Sequence, residues 1–253
     1  MITFFTAWLP VMMCVLISIL YILALKKKLI KLKNKFLQFG VGFLVLTTSA
    51  IVILLIWRTF CMDAKPSKNW KYEAQQTNTA IIFGFGYAED EQGTMLPGSS
   101  NVALYRQAIT DANYKNLIMQ QGVLVATHDD RVRAEGKNII QMHPHFPSFY
   151  VNTLRAAKYA MLKMDSLKVK KAVVYAHNRQ LARAVYDLKR VAASNPQWKD
   201  MEFITPCVPP TPYPGNSVDW HTRHEVFYLP LELFMSRPSN TIYPLRWINI
   251  PEQ

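Results

Sequence analysis

Two long uncharged segments on either side of a lysine cluster constrain this chain more than any other feature. Residues 1–25 and 36–57 contain no Asp, Glu, Lys or Arg. Each segment exceeds the roughly 20 apolar residues that a helix needs to cross the hydrocarbon core of a bilayer. Between them, residues 26–35 read KKKLIKLKNK, with six lysines and no acid. The sequence therefore predicts a membrane anchor of two transmembrane helices over residues 1–58.

The lysine-rich loop also predicts the orientation of the anchor. Loops rich in Lys and Arg stay on the cytoplasmic side of a membrane. We therefore expect the N-terminus, and everything after Arg58, to lie on the extracytoplasmic side. A cleaved signal peptide is disfavoured, because the chain starts without a basic residue and its first apolar segment is too long. The lipid bilayer is thus the first expected partner.

The charge of the remaining chain argues against nucleic-acid binding. The formal net charge is +12, and seven of the positive charges lie at or before Arg58, which leaves +5 for the rest. Nucleic-acid binding requires a concentrated basic face, whereas here acids are mixed with bases. Cys61 and Cys207 would share the extracytoplasmic side and could form a disulfide, while cysteine spacing indicates no zinc site.

After a polar stretch interpreted as a tether, residues 59–77, short apolar runs alternate with longer amphipathic ones. Predicted strands lie at 79–86, 116–120, 138–142, 170–176 and 201–205. Predicted helices lie at 99–113, 149–164 and 178–194, with Ser99 or Ser100 expected to cap the first. This alternation predicts an α/β domain over 78–253, Rossmann-like, with a mostly parallel sheet and helices on both faces.

Two stretches do not fit the alternation. Residues 122–136 could end a strand or begin a helix, and their periodicity does not decide between the two. Residues 206–214 contain five prolines, which excludes regular secondary structure there. This proline-rich segment could be a lid or binding loop, or a stiff crossing of the surface.

In an open parallel sheet, ligands bind beyond the carboxyl ends of the strands. Glycines at these ends let a ligand approach the backbone, and the helix N-termini beyond them offer N–H groups to an anion. The sequence therefore predicts a site for a phosphate or another anionic group. Candidate contacts at the strand ends are Gly84, Gly86, Gln121, Gly122, His177 and Asn178.

Known cofactor and metal motifs do not match. Glu89 stands where a dinucleotide-binding fingerprint needs its third glycine, and neither a P-loop nor a G-x-S-x-G elbow is present. The cofactor therefore stays unknown, and no metal ligands are assigned, although all six histidines follow residue 78. His177 could be a general base or an anion contact. It could equally cap the following helix or bond to loop backbone.

Five segments, AIIFGFG, NVALYRQA, LIMQQG, YVNTLRAA and AHNRQLARA, follow one another in an order and spacing that resemble the SanA/ElyC/YdcF-like domain family. The resemblance covers about residues 78–235, and the two membrane segments before it are most similar to the ElyC branch. It implies a protein of the bacterial inner membrane with a role in cell-envelope biogenesis or barrier function. It fixes no reaction and no oligomeric state.

The resemblance also implies which residues contact a ligand. At positions that match the family, these are Gly84, Asn101, Arg106, Gly122, Asn152, Thr153 and Arg183. Elsewhere the chain departs from the family. Gln120-Gln121 replaces Ser-Gly, Arg155 replaces a glutamate, and Gln180 replaces the usual histidine, whereas His177 takes the place of a serine.

These departures leave two hypotheses for function. In the first, the domain binds an anionic metabolite, lipid-linked or nucleotide-like. Arg106, Arg155 and Arg183 hold the charge, and His177 performs any proton transfer. In the second, the loss of the glutamate and histidine makes the domain a non-catalytic binding or scaffold module. A metal-dependent hydrolase is a third, weaker alternative.

Overall fold

The structure is a computed structural model that divides into two compact units, Met1–Asp63 and Ala64–Gln253. It describes residues 42–43, 45–50, 64–128, 136–143, 153–224 and 228. The described residues of the first unit are helical, and the hydroxyl of Thr47 donates to the carbonyl of Phe43 at 3.0 Å. The rest of the predicted anchor and its lysine loop lie outside the described residues. Within the described ranges, no helix combines the length and the apolar composition that crossing a membrane requires.

The second unit contains a five-stranded parallel sheet, as the sequence predicts. The sheet consists of β1 (Thr79–Ile82), β4 (Asn116–Met119), β5 (Asn138–Gln141), β6 (Lys171–Tyr175) and β7 (Glu202–Ile204), while β2 (Tyr87–Glu89) and β3 (Met95–Pro97) lie outside it. The sheet order is β5-β4-β1-β6-β7, and β2 pairs with β3 in a separate antiparallel ribbon. The order of the strands reverses between β1 and β6, where such folds leave a crevice at the carboxyl edge of the sheet.

Helices cover both faces of the sheet, because successive strand side chains point to opposite sides. The helices are α1 (Trp70–Gln75), α2 (Ser99–Asp111), α3 (Gln121–Leu124), α4 (Thr153–Ser166) and α5 (Asn178–Ser194), with 3₁₀ turns at Val125–His128 and Trp220–Thr222. Ile81 is fully buried in the core cluster that α4 and α5 share. Its neighbour Ile82 is fully buried in the cluster that includes α1, α2 and α3. The predicted α/β architecture is confirmed.

The helix α1 lies inside the stretch that the sequence interpretation treats as a tether. Its Ala74 is fully buried. Just before it, the backbone N–H of Ser67 donates to the carbonyl of Thr205 at 2.8 Å, and the Thr205 N–H donates back to the Ser67 hydroxyl at 3.0 Å. Residues 64–77 therefore pack as part of the α/β unit. Although most of these residues are polar, Ala64, Trp70 and Ala74 pack against the core.

The ribbon of β2 and β3 is absent from the sequence prediction. Its turn is held by Asp90, whose carboxylate accepts the N–H groups of Gln92 at 3.0 Å and Thr94 at 2.7 Å. Gly93 occupies the turn with φ of 76°, a conformation in which glycine is favoured. Two three-residue strands are too short for their alternation to stand out in a sequence.

Three smaller predictions are settled around these elements. Of the undecided stretch 122–136, residues 122–128 are helical, and residues 129–135 lie outside the described residues. The proline-rich segment has neither helix nor strand, as predicted. The expected cap of α2 is wrong, because Gly98 is the N-cap and makes no side-chain bond there. The Ser100 hydroxyl donates instead to the carbonyl of Pro212.

Candidate functional site

The loop after β1 is held by side chains from two neighbouring elements. Asn101, fully buried on α2, accepts the N–H of Phe85 at 2.8 Å and donates to the carbonyl of Gly86 at 2.6 Å. The N–H of Gly84 donates to the side-chain oxygen of Gln120 at 3.0 Å. The backbone N–H groups of Gly84 and Phe85 are thus already bonded to side chains of the same chain.

Gly86 and Gly122 give the close packing of this loop. Gly86 has φ of 63°, and a Cβ atom there would lie 2.6 Å from the Ser217 hydroxyl and 3.0 Å from the ring of Pro214. A Cβ atom on Gly122 would lie 2.9 Å from the side-chain nitrogen of Asn101. These distances are too short for any side chain. Both glycines are therefore required for packing, with or without a ligand.

An aromatic cluster lies where the order of the strands reverses. Phe85 follows β1 and His177 follows β6, and their rings stack with centroids 3.9 Å apart and planes 11° apart. Tyr213 meets His177 edge-on at 4.7 Å, and Tyr228 meets Phe85 edge-on at 4.8 Å. Side chains of the protein itself thus stand at the position where related folds hold ligands.

His177 is fully buried, and both of its ring nitrogens are bonded. Its Nε2 lies 3.0 Å from the carbonyl of Thr211, which can only accept, so Nε2 carries the proton. Its Nδ1 accepts the N–H of Arg179 at 3.4 Å and caps α5. The pKa of His177 is lowered to about 4: burial is the largest cause, the bond to Thr211 opposes it, and the charge of Arg179 adds to the lowering. The imidazole is therefore neutral at physiological pH.

These bonds confirm the interpretation of His177 as a helix cap that also bonds to loop backbone. A histidine acts as a general base only when one nitrogen can reach the proton that it abstracts. Here Nδ1 faces the first turn of α5 and Nε2 faces the proline-rich segment. Catalysis by His177 stays a prediction. It would require one ring nitrogen to give up its present hydrogen bond and bond to a substrate instead.

The proline-rich segment and the residues after it are bonded to three elements, α5, α2 and β2. The N–H of Thr211 donates to the side chain of Asn178 on α5 at 3.4 Å. Gln107 on α2 donates to the carbonyl of Cys207 at 3.1 Å. The N–H of Val218 donates to the carbonyl of Tyr87 in β2 at 2.8 Å. Asn178, expected to contact a ligand, thus contacts this segment.

Two separate pairs of polar side chains also follow the carboxyl ends of the strands. The side-chain nitrogen of Gln141 donates to the side-chain oxygen of Gln121 at 2.7 Å. Gln180, in the first turn of α5, donates to the hydroxyl of Thr153, the first residue of α4, at 3.4 Å. This contact joins the starts of the two helices. Gln180 and Thr153 are each 6% exposed.

The three predicted arginine contacts lie in different surroundings. Arg106 is exposed midway along α2, two turns from the edge where that helix begins. Arg155 is half-buried in the first turn of α4. Arg183 is half-buried in the second turn of α5 and donates to the hydroxyl of Tyr228 at 3.4 Å. Burial lowers the pKa of His221, and the charge of Arg183 adds to that effect against the opposing charge of Asp219.

The predicted site residues are therefore not brought together: His177, Asn178 and Arg183 lie at or near the start of α5, and Arg106 lies midway along α2. The loop after β1 contains or packs against Gly84, Gly86, Asn101 and Gly122. The starts of α3 and α4 contain Gln121, Thr153 and Arg155. Asn152 and Cys61 lie outside the described residues. In the described ranges, no three His, Cys, Asp or Glu side chains are grouped to hold a metal ion. Cys207 is exposed and free.

Sequence reasoning missed Phe85, Thr211 and Tyr213, which make the contacts of His177. An aromatic residue between two glycines after a buried strand is the only local signal for Phe85. Tyr213 lies between Pro212 and Pro214, where a rigid backbone holds a large ring in one place. Their convergence depends on contacts across 128 positions of the chain, from Phe85 to Tyr213.

Comparison with known proteins adds no relative. The chain matches no family model, no curated protein and no solved structure. The likeness to the SanA/ElyC/YdcF-like domain rests on the sequence segments alone. The fold and the site geometry establish an α/β domain with a parallel five-stranded sheet, whose carboxyl edge bears an aromatic cluster around His177 and two hydrogen-bonded pairs of polar side chains.

Proposed function

We propose that this chain is a membrane-anchored binding module whose extracytoplasmic α/β domain holds a phosphate-containing ligand without acting on it chemically. The ligand would lie at the carboxyl edge, where α4 and α5 begin. The sequence resemblance suggests a bacterial inner-membrane protein of envelope biogenesis or barrier function. A lipid-linked or nucleotide-like phosphate is the ligand class that fits this setting.

The start of α4 and α5 supports an anionic ligand. These helices have 14 and 17 residues and begin side by side, joined by the bond between Gln180 and Thr153. A helix N-terminus carries about half a positive charge, so two adjacent N-termini favour an anion. Arg155 and Arg183 add positive charge within the first two turns of the same helices.

The state of His177 supports binding without catalysis, and this single observation carries the proposal. Its two nitrogens are bonded to Thr211 and Arg179, and its ring is stacked on Phe85. With a pKa of about 4, the imidazole is neutral at pH 7, and its one N–H proton, on Nε2, is donated to the carbonyl of Thr211. The replacement of the family's glutamate and histidine by Arg155 and Gln180 supports the same conclusion.

The binding test is calorimetry on the full chain in nanodiscs of zwitterionic lipid. The probes are inorganic pyrophosphate and farnesyl phosphate, which together distinguish a bare phosphate from a lipid-linked one. Arg155→Gln is expected to weaken binding about tenfold, which corresponds to about 1.4 kcal/mol. Lys189→Gln removes the same charge from an exposed position of α5 and is expected to change nothing. Failure of both probes to bind, or equal weakening by both variants, contradicts the proposal.

The membrane setting has its own test. A reporter enzyme that is active only outside the cytoplasm, fused after Gln253, is expected to be active in bacterial cells. The physical reason is that six lysines between the uncharged segments resist translocation and leave the C-terminal part on the opposite side. Activity of a cytoplasmic reporter at the same position would contradict the proposed location.

A further inference from the structure

The side chain of Gln180 has a buried oxygen that the described residues do not satisfy. Gln180 is 6% exposed, and its nitrogen donates to the Thr153 hydroxyl at 3.4 Å. Among the residues that the structure describes, no donor bonds to its Oε1. Buried polar atoms in proteins nearly always have a partner, so this oxygen requires a hydrogen-bond donor from elsewhere.

The oxygen lies at the point where two helices begin. Gln180 is the third residue of α5, and Thr153 is the first residue of α4. The positive ends of the two helix dipoles and the charge of Arg155 in the first turn of α4 favour an anion, but a carboxamide oxygen repels one unless the anion carries a hydrogen. A site with these two properties selects for a ligand that is anionic and also donates a hydrogen bond.

We infer that the ligand carries an O–H donor next to its anionic oxygens, and that the Gln180 oxygen accepts this hydrogen. The inference rests on the proposed function and specifies its ligand class. Two sources supply the same chemistry: a phosphate group that keeps a proton, and a sugar hydroxyl beside a phosphate. A fully deprotonated anion such as sulfate lacks the donor.

The first experiment compares inorganic phosphate with sulfate by calorimetry on the full chain in zwitterionic nanodiscs at pH 8. Hydrogen phosphate keeps a proton at this pH, and sulfate has none. Phosphate is expected to bind about tenfold more tightly than sulfate. Gln180→Met keeps the side-chain volume and removes the acceptor. It is expected to abolish the preference, so that phosphate and sulfate bind about equally.

Two further variants keep the result independent of folding defects. Gln180→Glu supplies a stronger acceptor, so it is expected to keep or raise the preference for phosphate even if both anions bind more weakly. Gln197→Met changes an exposed glutamine after α5 and is expected to leave the preference unchanged. Near-ultraviolet circular dichroism of each variant confirms that the fold is retained.

The second experiment separates the two sources of the donor. Phosphate monoesters lose their last proton near pH 6, so methyl phosphate at pH 8 has no O–H group, whereas glucose 1-phosphate keeps its sugar hydroxyls. Tighter binding of glucose 1-phosphate, lost in Gln180→Met, identifies the sugar hydroxyl. Equal binding of the two esters, together with a preference for hydrogen phosphate, identifies the phosphate proton.

Failure of this inference is distinguishable from failure of the proposed function. Equal binding of phosphate and sulfate by the parent protein, or a preference that survives Gln180→Met, overturns the inference. If Arg155→Gln still weakens both anions in that case, the anion site stands. If neither anion binds the parent protein, the inference and the proposed function both fall.

Discussion

The ring of Phe85 stacks on the ring of His177, with centroids 3.9 Å apart and planes 11° apart. The two residues follow β1 and β6, neighbouring strands that run in parallel, so the contact closes the place where the order of the strands reverses. A neutral imidazole stacks on a phenyl ring without the cost of burying a charge. The contact therefore links the shape of this edge to the protonation state of one histidine.

Because His177 is buried in its neutral form, the stability of the fold is predicted to depend on pH. The pKa of His177 falls from 6.5 to about 4 in the folded protein. Between these pH values the unfolded state therefore binds more protons than the folded state. The stability that the neutral His177 contributes is complete above pH 6.5 and is lost as the pH falls towards 4. The loss is on the order of 3 kcal/mol, since each pKa unit corresponds to about 1.4 kcal/mol. Thermal unfolding of the full chain between pH 4 and 8 measures it.

The control for this pH dependence is the loss of the titrating group. His177→Asn is expected to flatten the decline between pH 6.5 and 4, whereas His224→Gln, at an exposed histidine, keeps it. A decline that persists unchanged in His177→Asn would show that another group causes it.

Gly86 and Gly93 both have positive φ, and a comparison of their alanine variants separates the cost of backbone strain from the cost of a steric clash. Gly86 has φ of 63° and is enclosed by Ser217, Thr222 and Pro214, whereas Gly93 has φ of 76° and no atom within 4 Å of the place that a Cβ atom would take. Gly93→Ala is expected to cost about 1 kcal/mol from the backbone alone. Gly86→Ala adds a steric clash and is expected to cost at least about 2 kcal/mol more. Midpoints of urea unfolding compare the two, and equal losses would contradict the close packing at Gly86.

The long elements of the fold could be predicted from sequence because their patterns are strong. Helix α5 spans the predicted residues 178–194, since its apolar positions recur at helical spacing, as in Leu181, Ala184 and Leu188. Helix α1 and the ribbon of β2 and β3 have too few residues for a period to be visible. Their formation depends on packing against elements distant in sequence.

The sequence predicts where the candidate site lies, but not which residues contact one another within it. The strand ends indicate that Gly84 and His177 lie at the carboxyl edge, because parallel strands end together. Their partners are not indicated, since the bond from Gly84 to Gln120 spans 36 positions and that from His177 to Thr211 spans 34. Polar residues at strand ends look the same in a sequence whether they bond to each other or bind a ligand.

Asn101 is expected to be sensitive to a change of one atom. Its side chain both accepts from Phe85 and donates to Gly86, so Asn101→Asp replaces the donor with a charged oxygen facing a carbonyl at 2.6 Å. In a fully buried position this is expected to destabilise the fold by about 3 kcal/mol or more. Asn113→Asp, at an exposed residue that accepts from Lys137, is expected to be neutral or slightly stabilising.

Urea unfolding at pH 7 measures both aspartate variants. Lowering the pH towards 4 would protonate the carboxyl group of Asn101→Asp, which restores a donor. Part of the lost stability is then expected to return relative to the parent protein. Equal stability of the two variants at pH 7 would mean that the loop after β1 does not depend on the hydrogen bonds of Asn101.

The decisive variant for catalysis is His177→Asn. An asparagine at the N-cap still accepts the N–H of Arg179, but it cannot reach Thr211 or stack on Phe85. We therefore expect a lower unfolding temperature, with binding of inorganic pyrophosphate within about twofold of the parent protein, since a twofold change is under about 0.5 kcal/mol. If the folded variant instead kept its stability and lost pyrophosphate binding, His177 would contact the ligand, and the bonded state of its ring nitrogens would no longer support the proposal of a non-catalytic module.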